Sequence, residues 1–380
     1  MREIKVIDSY DKMLKLKPVW NELLAKSDID IPFMTFEWFS FWWRFFGNGR
    51  DMLTMAVYDD NKLIAIAPLM RKKTTWRGLP VTSISFAVDY YSGRTGVIIE
   101  PGKFDAVASI IEFLKTEKYA YDMLDIDFLP GESSTGVALG KLLDNPGFRY
   151  VKKPRILTPY IPVQGAWSDY LLTRSHNFKH KLSKTCNKYR RLPGYKIVKY
   201  TDASLAEALR QMEEISRASW KFREKTAIVN SDEKSRFFKE LTEMLAASGW
   251  LNIWILTIAD KPAAFAYNVR YKNRIYAMEI GYSDAHAQLS PSEFLNTEAI
   301  KECFDTGVTE YDWLGDALPF KMKWTSLTRE HSKYWIFNNT VYGKLLYGVE
   351  QMCVMPVINL AHAIKGKFCG AAIVPEDITV

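Results

Sequence analysis

Residues 52–70 (MLTMAVYDDNKLIAIAPLM) alternate apolar and polar positions on both sides of Asp59-Asp60-Asn61-Lys62. That is the period-2 pattern of half-buried strands around a polar turn, and it predicts a β-hairpin. Residues 250–271 (WLNIWILTIADKPAAFAYNVRY) repeat it with Asp260-Lys261 at the turn, and Lys62 and Lys261 are 199 residues apart. Further on, Tyr121-Asp122-Met123-Leu124 and Tyr311-Asp312-Trp313-Leu314, 190 residues apart, each read as the end of a strand. The shared order of hairpin then strand points to a tandem duplication. Apolar residues at helical spacing predict helices over 11–25, 36–46 and 104–115 in the first half, and over 205–223, 234–247 and 292–304 in the second. The fold class is therefore α/β (α+β): two successive units, each a mixed twisted sheet flanked by helices.

Composition narrows the class. Hydrophobic residues are 48% and charged residues 25% of the 380, which excludes a disordered or collagen-like chain. No apolar run approaches the roughly 20 residues of a membrane span. The opening MREIKVIDSYDKM lacks the apolar core of a secretory signal, and Cys186, Cys303, Cys353 and Cys369 form no C-x-x-C, so a cytoplasmic protein without a zinc site or disulfide framework is expected. The net charge of +7 is local: Thr173 to Arg191 holds seven Lys/Arg and no Asp/Glu. Ser175–Arg191 reads as a basic helix stopped by Leu192-Pro193-Gly194. The expected units are thus 1–172, a basic linker helix within 173–194, a second unit over 195–340, and an amphipathic tail over 341–380 with a kink at Pro356. That tail packs on the second unit, lies on a membrane surface or contacts a partner protein.

Two segments carry candidate chemistry. After the strand 274–282, Ser290, Pro291 and Glu293 form a Ser-x-x-Glu capping box opening a helix. A strand feeding a small-residue loop into a helix N-terminus binds phosphate through free backbone N–H groups. In Asp312-Trp313-Leu314-Gly315-Asp316-Ala317-Leu318-Pro319-Phe320-Lys321, the turn after the strand brings Lys321 near the strand's exit, where it can neutralise an oxyanion, a thiolate or a phosphate. The plain alternative is a solvated lysine among packed aromatics. His176 and His180 fall one turn apart, but no Asp, Glu or Cys pattern joins them, so no metal site is expected.

The strand, the Ser-Pro-led helix, the strand ending in Asp-x-x-Gly-Asp and the Phe-Lys-x-x-Trp segment resemble the GNAT acyltransferase core. They are similar in particular to its CelD-like branch, associated with cellulose and other exopolysaccharide synthesis, as are Pro32-Phe33-x-Thr35-x-Glu37-Trp38 and Ser219-Trp220-Lys221. The resemblance runs from about residue 30 to residue 335. It implies two tandem GNAT-like domains, with acyl-CoA, acetyl-CoA first, held in the second. The pyrophosphate would lie on the amides of Gln288, Leu289, Ser290 and Ser292, the last standing where the branch commonly has glycine. Glu279 occupies the place of the general base, and Lys321, with Asp312 and Asp316 holding it charged, that of the group meeting the leaving thiolate. Phe320 replaces an aromatic hydroxyl, which leaves proton return to Lys321 or water. On the acceptor side, Trp38, Tyr90 and Tyr91 offer stacking surfaces for a sugar ring, and Asp89 and Arg94 polar contacts.

The expected activity is acyl transfer to a saccharide or other small-molecule precursor of the cell envelope. Two alternatives stay open: a FemABX-like aminoacyl transferase whose basic helix binds tRNA phosphates, and a non-catalytic scaffold with membrane or protein contacts through the basic helix or the tail.

Overall fold

The computed structural model describes residues 2–88, 91–116, 120–201 and 204–354. Its strands, in chain order, are β1 (Arg2–Ile7), β2 (Asp51–Met52), β3 (Thr54–Asp59), β4 (Lys62–Ala67), β5 (Leu69–Trp76), β6 (Leu79–Phe86), β7 (Ile98–Ile99), β8 (Met123–Pro130), β9 (Arg149–Pro162), β10 (Tyr195–Tyr200), β11 (Leu251–Ile258), β12 (Lys261–Tyr271), β13 (Arg274–Tyr282), β14 (Glu310–Asp312) and β15 (Thr328–Phe337). Both expected hairpins form. Asp60 and Asn61 turn β3 into β4, and Ala259 and Asp260 turn β11 into β12, all four with positive φ as two-residue hairpin turns require.

The two halves repeat one plan. Each has a four-strand antiparallel run, β1-β3-β4-β7 and β10-β11-β12-β13, followed by a helix and a further strand. β14 joins its run in parallel beside β13, with Tyr311 opposite Ile275, whereas β8 runs parallel to β6 of the interposed hairpin β5–β6, with Leu124 opposite Ile84. The strands containing Leu124 and preceding Leu314 thus correspond in chain order, but only the second sits in the same sheet as its half's expected hairpin. One detail differs from the sequence reading: Met123 begins its strand, which runs on to Pro130. Asp125 and Asp127 stay in the sheet because Lys333 lies 3.2 and 3.3 Å from them and Arg155 lies 2.9 Å from Asp127.

The halves then exchange strands. β14 of the second half pairs with the end of β9, Tyr311 opposite Ile161, while β8 of the first half pairs with β15, Ile336 opposite Leu124. β9 and β15 also pair with each other, which fuses both halves into an 11-stranded sheet beside a smaller one of four strands, β1-β3-β4-β7. A cut at residue 195 consequently crosses the sheet. The core is shared as well: Phe33 meets Tyr276 edge-on at 5.5 Å, and Phe41 lies 5.4 Å from Phe237.

Local rules explain the helices. Thr35 caps Phe36–Phe46 by accepting from Trp38 N–H at 3.2 Å, and Ser175 caps His176–Arg191 in the same way at 3.3 Å. The predicted helix over 11–25 is instead two, Tyr10–Leu14 and Lys17–Leu24, because Pro18 has no N–H to continue the ladder. Likewise 205–223 breaks into Leu205–Arg217 and Trp220–Arg223. In the tail, the helix Val341–Val349 packs on both halves: Leu346 is buried with Trp76, Val81 and Met123 of the first and with Phe337 of β15, which delivers the chain there. Pro356 and the rest of the tail lie outside the described residues. Among the described residues no helix is long and apolar enough to cross a membrane.

Candidate active site

β13 pairs with β14 only from Arg274 to Tyr276. Opposite this, the register with β12 slips, Tyr267 facing Glu279 but Asn268 facing Ala277, which leaves Met278 as the extra residue of a bulge. Bulges bend a strand and re-aim its side chains. Past the bulge β13 and the chain after β14 part, and a cleft of about 690 Å³ opens between them.

The parting is built at Asp312. This carboxylate is fully buried, and its Oδ1 accepts from Leu314 N–H at 2.9 Å. Oδ2 accepts from Arg94 of the first half and from Arg329 Nη1 at 3.3 Å. The bond to Leu314 turns the chain through two left-handed residues, Leu314 (φ 46°) and Gly315 (φ 56°). A leucine there costs about 1–2 kcal/mol, which the buried ion pairs offset. The Leu314 carbonyl then faces Lys321 Nζ, which donates to it at 2.6 Å from the short helix Pro319–Met322.

Lys321 is half-buried, and burial pushes its ammonium down to about 8 against the opposing pull of Asp316, Asp312 and Glu279. The two aspartates were expected to hold it charged; their pull is present, but desolvation outweighs it. Neither binds Lys321 directly: Asp312 is committed to the two arginines, and Asp316 is exposed. Glu279, on the cleft wall, accepts from Lys221 Nζ, which also donates to the Ile280 carbonyl at 2.9 Å. No local signal joined Lys221 to Glu279, since 58 residues separate them.

At the other end of the cleft lies the N-terminus of the helix Pro291–Asp305. The expected capping box does not form. Ser290 is left-handed (φ 52°), not extended, so its hydroxyl caps nothing, and Glu293 is drawn 2.9 Å from Lys181 on the basic helix. Ser290 N–H is spent on the Ala287 carbonyl at 3.0 Å, and Gln288 and Leu289 do not line the cleft. Of the four expected amides, Ser292 alone is placed and free, joined by Glu293: no group among the described residues accepts from either N–H. Deeper in, Asn296 Oδ1 and Trp313 Nε1 are buried without a partner on residues 5% and 2% exposed that line the same cleft. Free amides beside Lys181 and Lys188 suit an anionic pyrophosphate, and an orphan acceptor and donor suit the amides of a pantetheine arm. The donor set fits an acyl-CoA.

The expected acceptor residues are dispersed. Tyr91 lines the cleft mouth, stacked 4.8 Å from Phe237. Trp38 is a core residue that donates to Ser92 Oγ at 3.1 Å, so it offers no open face for a sugar. Arg94, 6% exposed, is spent on Asp312 and on His331 Nε2 at 3.3 Å instead of facing a ligand. Asp89 and Tyr90 lie outside the described residues. His176 and His180 stand exposed with ring centroids 6.4 Å apart, and no group of three or more metal-ligating side chains occurs among the described residues.

The buried network carries a stability consequence. His331 is fully buried, and its Nε2 accepts from Arg94, so the ring is neutral. Burial first, then the Arg94 charge, pushes its pKa down to about 4. A folded-state value below the unfolded one near 6.5 means that the unfolded chain binds more protons between these values, so stability falls as pH falls from 6.5 to 4. The loss is on the order of 3 kcal/mol. Urea unfolding at pH 7 and pH 4.5 should show a smaller drop in His331→Gln than in the parent; equal drops would assign the acid sensitivity elsewhere.

A bulged strand parting from a parallel neighbour above a helix N-terminus defines an acyltransferase-type cleft in a tandem α/β fold. Residues 176–322 match the family model of the acetyltransferase (GNAT) domain, and this match indicates an acyltransferase. As a class such domains use acyl-CoA. Among solved structures the chain is similar to FemX, with 13% identity, a TM-score of 0.62, and coverage of 91% of this chain and 100% of that one. It is similar also to L-PGS from Bacillus licheniformis (12% identity, TM-score 0.51, 90% and 96% covered). A tandem GNAT protein from the clavulanic acid biosynthesis pathway matches at 9% identity and TM-score 0.51, with 88% and 98% covered. At such identities these likenesses carry the fold alone. No curated protein matches the chain.

Proposed function

We propose that the protein transfers an acyl group, acetyl first, from acyl-CoA to an amine or hydroxyl of a cell-envelope or exopolysaccharide precursor, as its resemblance to the CelD-like branch implies. The observation that supports this reading is the single cleft that holds the Glu279–Lys221 pair, Lys321 and the free amides of Ser292 and Glu293. Acyl-CoA supplies the activated acyl group as a thioester. Glu279 takes the proton from the acceptor as it attacks, and Lys221 keeps the carboxylate oriented. Lys321, titrating near neutrality, meets the charge on the departing sulfur and returns a proton to it. Ser292 and Glu293 hold the donor's phosphates.

Ser292→Glu tests the donor site. A carboxylate in the first helical turn suits the helix dipole, so the fold should hold, but it stands against the free amides and repels the pyrophosphate. Calorimetry with CoA should show parent binding and none in the variant; equal binding would place the donor elsewhere. Aminoacyl transfer from tRNA is the second reading, and the exposed lysines 181, 184 and 188 along one face of the basic helix favour it. It requires tRNA binding that weakens steeply with salt.

A further inference from the structure

We infer that Arg94 of the first half is a positioning residue for Lys321 of the second, acting through Asp312 and the left-handed turn at Leu314. The inference rests on the assignment of Lys321 to the reaction. Each link is a direct contact. Arg94 Nη2 donates to Asp312 Oδ2, Asp312 Oδ1 accepts from Leu314 N–H at 2.9 Å, and the Leu314 carbonyl accepts from Lys321 Nζ at 2.6 Å.

The first half anchors the start of this chain. Next to Arg94, Thr95 N–H donates to the Phe128 carbonyl of β8 at 3.1 Å, and Gly93 (φ 61°) lies against Leu314, whose Cδ2 would sit 3.5 Å from a β-carbon there. Arg329 is no substitute for Arg94. Its guanidinium is engaged by Glu310 at 2.5 and 3.0 Å, with Glu132 at 3.5 Å, and reaches Asp312 only at 3.3 Å. Without Arg94 the buried carboxylate loses its nearest counter-charge, and a buried charge that loses its partner moves or takes up a proton. Either change weakens its hold on Leu314 N–H, the bond that turns the backbone into the left-handed region at this leucine. The carbonyl then leaves Lys321, whose ammonium is freed among Asp316, Glu279, Lys221 and solvent. The first half thereby does more than cover the cleft: one of its arginines sets the geometry of a lysine in the other half.

Lys321 itself reports on this arrangement without any substrate. The full-length protein is labelled with acetic anhydride across a pH series, and the Lys321 peptide is quantified by mass spectrometry. In the parent, half-labelling is expected near pH 8, the value its burial imposes. In Arg94→Met the midpoint should rise by at least one pH unit towards the ordinary lysine value of about 10.4, with Arg94→Lys in between. Should Arg94→Met fail to fold, the double variant Arg94→Met/Asp312→Asn leaves no buried carboxylate unpaired yet removes the same anchor, and should show the same rise. A folded variant whose Lys321 titrates as in the parent overturns the inference. Parent-rate turnover of acetyl-CoA by Lys321→Met would instead overturn the role of Lys321, whatever the labelling shows.

Discussion

Glu279→Gln is expected to lower turnover by about 10²- to 10⁴-fold while CoA affinity stays within about twofold of the parent. Glu279 faces Tyr267 at the bulge of β13, on the wall where the strands part. Glutamine keeps its shape, and its amide oxygen can still accept from Lys221, which retains its second bond to the Ile280 carbonyl at 2.9 Å. What glutamine cannot do is take a proton. The donor amides of Ser292 and Glu293 lie on a different element, so donor binding should be spared. The measurement is thiol release from acetyl-CoA against a panel of amino sugars and sugar alcohols, with CoA affinity measured in parallel. Turnover within about threefold of the parent would leave the base role to water or Asp89. It would not pass to Glu37, whose carboxylate accepts from Asn21 at 2.8 Å and lines a separate groove.

How much of this was legible in the sequence depends on how far apart the deciding contacts lie. Alternation and turn residues are local, so both hairpins and the helix 36–46, capped by Thr35, could be read directly. The parallel strands could be matched in chain order between halves, but not the hairpin β5–β6 that separates β8 from the first half's own antiparallel run. The exchange of β9 and β15 could not be read, since the neighbours of each lie in the other half and nothing in either strand names its partner. Ser290-x-x-Glu293 shows the limit from the other side. The pattern is sound locally, but Lys181, more than a hundred residues earlier, draws Glu293 away.

The same holds for the site. Glu279, Lys321 and Ser292 border one cleft because their strand, turn and helix, each marked in the chain, converge at one opening. Arg94 and Trp38 were misplaced because a polar-aromatic loop reads alike whether it faces a ligand or an interior. Only the packing of the halves shows that Arg94 meets a buried Asp312 and that Trp38 lies in the shared core. Asn296 carried no pattern at all, and Ser219-Trp220-Lys221 carried nothing that joined Lys221 to Glu279; each acquires meaning from the cleft it borders.

Lys321→Met should cost turnover about 10²–10³-fold, the scale on which a preorganised donor aimed at developing charge contributes. The pH profile decides whether the lysine acts as that donor. The protonated form is the one that can meet and protonate the leaving sulfur, and burial brings its pKa down to about 8. Turnover of the parent should therefore hold below pH 8 and fall as pH rises through it, a limb that Lys321→Met should lack. Methionine matches the stem of lysine in length, so the fold should hold and the comparison is not confounded by unfolding. Lys321→Arg would keep the charge to much higher pH, and its limb should move upward even if the longer side chain lowers the rate. A limb at pH 8 that persists in Lys321→Met belongs to another group. Unchanged turnover in that variant would count most heavily, because Phe320-Lys321-x-x-Trp324 is the segment most closely resembling the acyltransferase branch. Acyl-CoA would then be bound without being turned over at this centre, and a scaffold built on the same fold would become the better account of the cleft.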